Sequence, residues 1–76
     1  MKESLHKKIA SRYSISEKNI VIMQMVADGF TSKEISAKTS LSDRTVENRI
    51  QKLSNDFDCR NKTHLVITLL REGIIN

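Results

Sequence analysis

The sequence predicts an all-α fold of four helices, with room for an extra helical segment at the N-terminus. Three observations carry this reading. Proline is absent and glycine occurs only at Gly29 and Gly73, so little interrupts helices and the turn residues that hairpins need are scarce. A helix-start pattern recurs three times: an apolar residue, then Ser or Thr, then an apolar residue four positions after the hydroxyl. It reads Ile15-Ser16 with Ile20, Phe30-Thr31 with Ile35, and Leu41-Ser42 with Val46. In each the hydroxyl accepts from an orphaned backbone N–H while the flanking apolar pair forms a hydrophobic staple. Both glycines, finally, follow apolar-periodic stretches, where each can take the left-handed position just past a helix.

Taken in order, residues 1–14 form an N-terminal extension or connector and residues 15–76 the domain proper. In the extension, Leu5, Ile9 and Tyr13 stand four apart and would line one stripe of a helix. That segment either docks on the domain or links it to a larger protein. The first helix is expected at about 17–28, starting at Ser16 and stopping at Gly29, with Phe30 placed to pack back on Met25. The second, at about 32–38, is started by Thr31, and Glu34 completes a capping box. A third follows at about 43–56 after the short turn Thr39, Ser40, Leu41 and Ser42. A short helix, a tight turn and a longer helix make the layout of a helix-turn-helix. The last helix, at about 62–72, is closed by Gly73, with Ile74 returning toward Leu69.

Size and composition exclude several classes. A chain of 76 residues holds one core, and 38% apolar with 29% charged residues suits a small globular domain. No nucleophile, base and orienting group assemble, and there is no glycine-rich phosphate loop, so an enzyme is not expected. Cys59 stands alone, and with His6 and His64 it matches no metal-ligand spacing; no metal, cofactor or small-molecule ligand is expected, and a reducing compartment fits. The longest apolar run, Ile20 to Met23, is far too short to span a bilayer, and a cytoplasmic protein with no membrane partner is the expectation. Tyr13, Phe30 and Phe57 are too few to stack on single-stranded bases, and the last two suit a core.

Net charge of +4 and a pI near 9.5 point mildly to a polyanionic partner. The charge is unevenly placed. Residues 1–14 hold four bases and one acid, which leaves nine bases against eight acids, or +1, for residues 15–76. Net charge therefore does not decide the function, and the third helix must.

That helix sorts into two unlike faces. Val46, Ile50, Leu53 and Phe57 recur at intervals of four, three and four and form the stripe expected in the core. Opposite lie Arg44, Asn48, Gln51, Lys52 and Asn55, a row with neither a carboxylate nor an apolar side chain. Arg can grip guanine O6 and N7, and Asn or Gln can grip adenine N6 and N7, in a major groove about as wide as a helix with its side chains. An ordinary solvated face is the competing reading. Arg49 on the flank, with Arg60 and Lys62 just beyond the helix, can sit over phosphates, and the helix N-termini at Ser16 and Thr31 can donate backbone N–H groups to them. In the fourth helix Leu65, Val66, Ile67, Leu69 and Leu70 exceed what one packing face needs. Either the N-terminal segment or a second copy of the chain covers the remainder; self-association is preferred, with Leu65, Val66, Leu69 and Leu70 at the contact.

The residues from Ile15 to Ile75 resemble the LuxR-type helix-turn-helix, the DNA-binding domain at the C-terminus of NarL/FixJ response regulators and quorum-sensing activators. The matching stretches are Gly29 to Ser36 (GFTSKEIS), Leu41 to Ile50 (LSDRTVENRI), Arg60 to Val66 (RNKTHLV) and the closing Gly73-Ile74-Ile75. The resemblance implies a four-helix domain of a bacterial transcription regulator, its third helix in the major groove of double-stranded DNA and its fourth at a homodimer contact. RNA polymerase is a further candidate partner of such a regulator. The family's DNA-facing sites fall on Thr45, Glu47, Asn48, Arg49 and Gln51, and Lys33 lies in its Lys-Glu-Ile element. Together with the residue-level reading this assigns base contacts to Arg44, Glu47, Asn48, Gln51 and Lys52, and phosphate contacts to Thr31, Lys33, Thr45, Arg49, Arg60 and Lys62. The chain departs from the family at Lys18 and Asn19, where Arg and Glu are usual, at Thr39, where an apolar residue is usual, and at Glu47, where a base is frequent. A carboxylate at Glu47 would repel phosphate but can accept from cytosine N4.

Two rivals remain at this level. Arg49 after Asn48 also resembles sigma-factor region 4, another helix-turn-helix, although the residues from Arg60 onward favour the LuxR type. A helical protein-interaction module is the other, supported by the near-neutral charge of residues 15–76. A receiver or ligand-binding domain, if one exists, would precede Met1; a complete small regulator is the alternative.

Overall fold

The computed structural model describes residues 15–76, and the stripe expected at Leu5, Ile9 and Tyr13 lies outside them. The described residues form four helices in the order α1 (Glu17–Ala27), α2 (Ser32–Thr39), α3 (Asp43–Asp56) and α4 (Lys62–Arg71), with no strand among them. Each start agrees with the expected one and each end lies within one residue of it.

The helix ends show why. The Ser16 hydroxyl accepts from Asn19 N at 3.1 Å, and Ser42 accepts from Thr45 N at 3.1 Å. At Thr31 both halves of the capping box form, Glu34 N to Thr31 Oγ1 at 3.2 Å and Thr31 N to Glu34 Oε1 at 2.8 Å. Gly29 and Gly73 take the left-handed conformation, with φ of 94° and 74°. Past them Phe30 N reaches Met25 O and Ile74 N reaches Leu69 O, each at 3.0 Å, so two orphan carbonyls are satisfied. A third stop of this kind falls at Asp58, with φ of 56°, where Cys59 N reaches Ser54 O at 2.7 Å. Short polar side chains tolerate this conformation better than other non-glycine residues do. α4 starts on Asn61, whose Oδ1 accepts from His64 N at 2.8 Å, while His64 Nδ1 accepts from Arg60 N at 3.1 Å.

The turn between α2 and α3 carries the polar residue at position 39 without leaving it stranded. Thr39 Oγ1 donates to Ile35 O at 2.8 Å and accepts from Leu41 N at 3.4 Å. Ser36 Oγ donates to Leu41 O. Ser40 bends the chain with φ of 63°. The half-buried Thr39 thus acts as a brace within the turn, and the core is completed without it.

All four helices give one stripe each to that core: Ile22 and Met23 from α1, Ile35 from α2, Val46, Ile50 and Leu53 from α3, Leu65 and Leu69 from α4. Ile74 and Ile75 close it from the C-terminal tail. The tail is tied down by Gln24, whose Oε1 accepts from Asn76 N at 2.9 Å and whose Nε2 donates to Asn76 O. α3 packs most extensively on α2 and also meets α1 and α4, so it is held from three sides.

Three outcomes check this account. Removing the cap with Thr31→Ala is expected to cost about 1 kcal/mol in denaturant unfolding. Ile35→Ala is expected to cost about 2–5 kcal/mol, enough to unfold most of a domain whose whole stability is at the low end of about 5–15 kcal/mol. The Thr31 backbone N–H, and after it the Thr31 hydroxyl, hold the Glu34 carboxyl below its ordinary value. Because the folded state lowers this pKa, its stabilisation is complete above the ordinary carboxylate value and is lost as pH falls through the lowered one. Glu34→Gln, which keeps a neutral acceptor, should therefore flatten the acid limb of a plot of Tm against pH relative to the parent.

Candidate nucleic-acid interface

The site is built on α3. Val46, Ile50 and Leu53 are 0%, 4% and 3% exposed, which fixes the rotation of the helix about its own axis. The opposite row, Arg44, Asn48, Gln51, Lys52 and Asn55, is exposed along its length. Its side chains are lightly engaged. Gln51 Nε2 donates to Asn55 Oδ1 at 3.1 Å, and Lys52 Nζ lies 3.4 Å from Asp56 Oδ2 in the one ion pair among the described residues. Exposed contacts of this i,i+4 kind stabilise by only about 0.2–0.5 kcal/mol, so a base edge or phosphate can replace them at small cost.

Glu47 is placed differently from its neighbours. It is exposed, but its carboxylate accepts a hydrogen bond from Ser32 Oγ in the first turn of α2. This joins the two helices of the helix-turn-helix and sets a negative charge at the positive end of the α2 dipole.

Among the residues expected at phosphates, Thr31, Lys33, Arg60 and Lys62 are exposed. Thr31 and Lys33 sit at the start of α2, beside the Ser32 contact to Glu47. Arg60 and Lys62 flank the Asn61 cap of α4. Thr45 is half-buried, and its Oγ1 accepts from Ser42 Oγ at 2.9 Å. Arg49 is also half-buried, and its Nη1 donates to Asn19 Oδ1 of α1 at 2.9 Å. The Arg49 partner and the Ser32 contact were not foreseen from sequence. Asn19 stood out only as a departure from the family pattern, and nothing in a spacing of thirty residues pairs it with Arg49.

On α4 the expected dimer contact needs correction. Leu65 and Leu69 are 0% and 1% exposed and belong to the monomer's own core, so a second chain cannot reach them in this fold. Val66 is half-buried against that core, while Leu70 is 43% and Ile67 40% exposed. Val66, Ile67 and Leu70 share a face by helical spacing and are the apolar surface that α4 leaves outside.

Among the described residues no three His, Cys, Asp or Glu side chains come together to hold a metal ion, and no helix is long and apolar enough to cross a membrane. Cys59 is half-buried, with its thiol 3.5 Å from Thr68 Oγ1.

A short α2, a braced turn and a longer α3 with a buried apolar stripe and an exposed polar row define a helix-turn-helix domain. The chain belongs to the luxR family of bacterial regulatory proteins, whose sequence pattern matches residues 13–69. Helix-turn-helix domains of this family bind double-stranded DNA. The chain is similar to the uncharacterized response regulatory protein YgeK of Escherichia coli K12, at 35% identity over 79 residues that cover 95% of this chain and 54% of that protein. It is also similar to the transcriptional regulatory protein YdfI of Bacillus subtilis 168, at 28% identity over 69 residues that cover 91% of this chain and 32% of that protein. The chain thus spans about half the length of the first relative and a third of the second. No solved structure matches the chain significantly.

The two sides of α4 separate in one experiment. Leu70→Glu should leave the unfolding midpoint close to that of the parent, because the new carboxylate stays in water, whereas Leu69→Glu should abolish cooperative unfolding by burying an unpaired charge.

Proposed function

We propose that this domain binds double-stranded DNA sequence-specifically, with α3 in the major groove, as the output domain of a bacterial response regulator. One observation carries the reading: on α3 the polar row of Arg44, Asn48, Gln51, Lys52 and Asn55 lies exposed, opposite an apolar stripe buried in the core. In this reading Arg44, Glu47, Asn48, Gln51 and Lys52 contact base edges. Thr31, Lys33, Thr45, Arg49, Arg60 and Lys62 contact phosphates, which gives orientation and affinity and leaves discrimination to the row.

The names of the two relatives support a regulator, and their greater length supports further domains in such proteins. A homodimer on DNA is part of the proposal. Its contact is narrower than the sequence suggested, with Val66, Ile67 and Leu70 as the apolar side chains available. Two copies related by a twofold axis would match a two-part site.

Selection of duplexes from a random pool tests the reading and supplies the target. On the recovered duplex, Asn48→Ala and Gln51→Ala should each lose about 1–3 kcal/mol of binding, and the loss should shrink on duplexes altered at the base pair concerned. Variants that bind every duplex as the parent does would remove α3 from the role of reader.

A further inference from the structure

The contact between Arg49 and Asn19 has a chemical character that its position makes informative. α3 carries three acids, Asp43, Glu47 and Asp56, and three bases, Arg44, Arg49 and Lys52, so the helix is neutral as a whole. Lys52 already shares its charge with Asp56 at 3.4 Å. What attraction α3 offers to a polyanion therefore depends on which remaining bases keep their charge uncancelled.

Arg49 stands on the flank of α3, between the buried stripe and the exposed row, where the edge of a groove would run. The residue is half-buried, and its guanidinium donates through Nη1 to Asn19 Oδ1 at 2.9 Å. The backbone of Asn19 is fixed in turn, since its N–H donates to the Ser16 cap at 3.1 Å in the first turn of α1. A side-chain amide accepts a hydrogen bond without carrying charge. It uses one of the five guanidinium donors and leaves the full positive charge and the other donors in place. A carboxylate at the same point would hold the guanidinium more strongly and would also neutralise it. α1 therefore aims the arginine while leaving it cationic.

We infer that Asn19 is a positioning residue for DNA binding: it orients Arg49 toward a phosphate through a neutral acceptor and so preserves the charge on which that contact depends. The inference rests on the DNA-binding reading above. It assigns to α1 a share in affinity, although Asn19 itself touches no nucleic acid.

The test compares the full chain with Asn19→Asp, Arg49→Gln and the double variant, measuring affinity for a mixed-sequence duplex across a range of salt concentrations, with Tm alongside. Asn19→Asp keeps the shape of the side chain and adds one charge. Its Tm should equal or exceed that of the parent, because an ion pair replaces a neutral hydrogen bond. Its affinity should nevertheless fall about eightfold near 0.1 M salt, and the slope of log affinity against log salt should become shallower by about 0.9, the signature of one lost phosphate contact. Arg49→Gln should give the same change in slope. Adding Asn19→Asp to it should have little further effect, whereas simple repulsion between a new carboxylate and DNA would persist in that background. A purely structural role for Asn19 predicts instead that Asn19→Asp binds as well as the parent or better, and that result overturns the inference. So does an unchanged salt slope in Arg49→Gln, a readout that survives even if Asn19→Asp folds poorly. A parent chain with no salt-dependent binding to any duplex overturns the DNA reading itself, and this role with it.

Discussion

The burial of Val46, Ile50 and Leu53 is the constraint on which the rest of the molecule depends. These three side chains fix how α3 is rotated, and a helix so fixed has no choice about what it shows to solvent. Burying an aliphatic side chain is worth about 1.5–3 kcal/mol, so the stripe alone contributes on the scale of the whole stability of a small domain. The exposed row contributes almost nothing to stability. Its side chains can therefore be chosen for recognition, and here they are Arg, Asn, Gln and Lys.

A second layer of interactions sets where α3 lies relative to its neighbours. The Thr39 hydroxyl and Ser36 brace the turn from α2, the Ser32 contact to Glu47 ties the starts of the two helices, and Asn19 reaches Arg49 from α1. These are polar contacts at the margin of the core, where a hydrogen bond adds about 1 kcal/mol and direction as well. The apolar core makes α3 stable; the polar margin decides which way its flanks point. Glu47 shows the consequence, because its carboxylate, exposed on α3, is tied to Ser32 of α2.

The fourth helix divides its work differently. Five apolar residues in six positions looked like more surface than one face requires, and the excess is real but small. Leu65 and Leu69 are consumed by the core together with Ile74 and Ile75 from the tail, Val66 packs half-buried at its edge, and Ile67 and Leu70 stay exposed.

The helices and their boundaries were legible in the sequence because helix ends are local. Ser16, Thr31 and Ser42 each satisfy a donor three residues away, and Gly29 and Gly73 each close a loop of five. Where the local signal was weaker, the boundary was foreseen but the residue that sets it was not. Asn61 caps α4 without an apolar residue before it, and Asp58 stops α3 without being glycine. The partition of α3 into a buried and an exposed face was equally local, since the helical repeat alone sorts its residues. Tertiary structure alone decided which apolar residues of α4 the core would absorb, that Ser32 would hold Glu47, and that Asn19 would hold Arg49. Each of these joins residues on different elements, and whether two side chains meet across a core depends on how helices cross, which no single helix encodes.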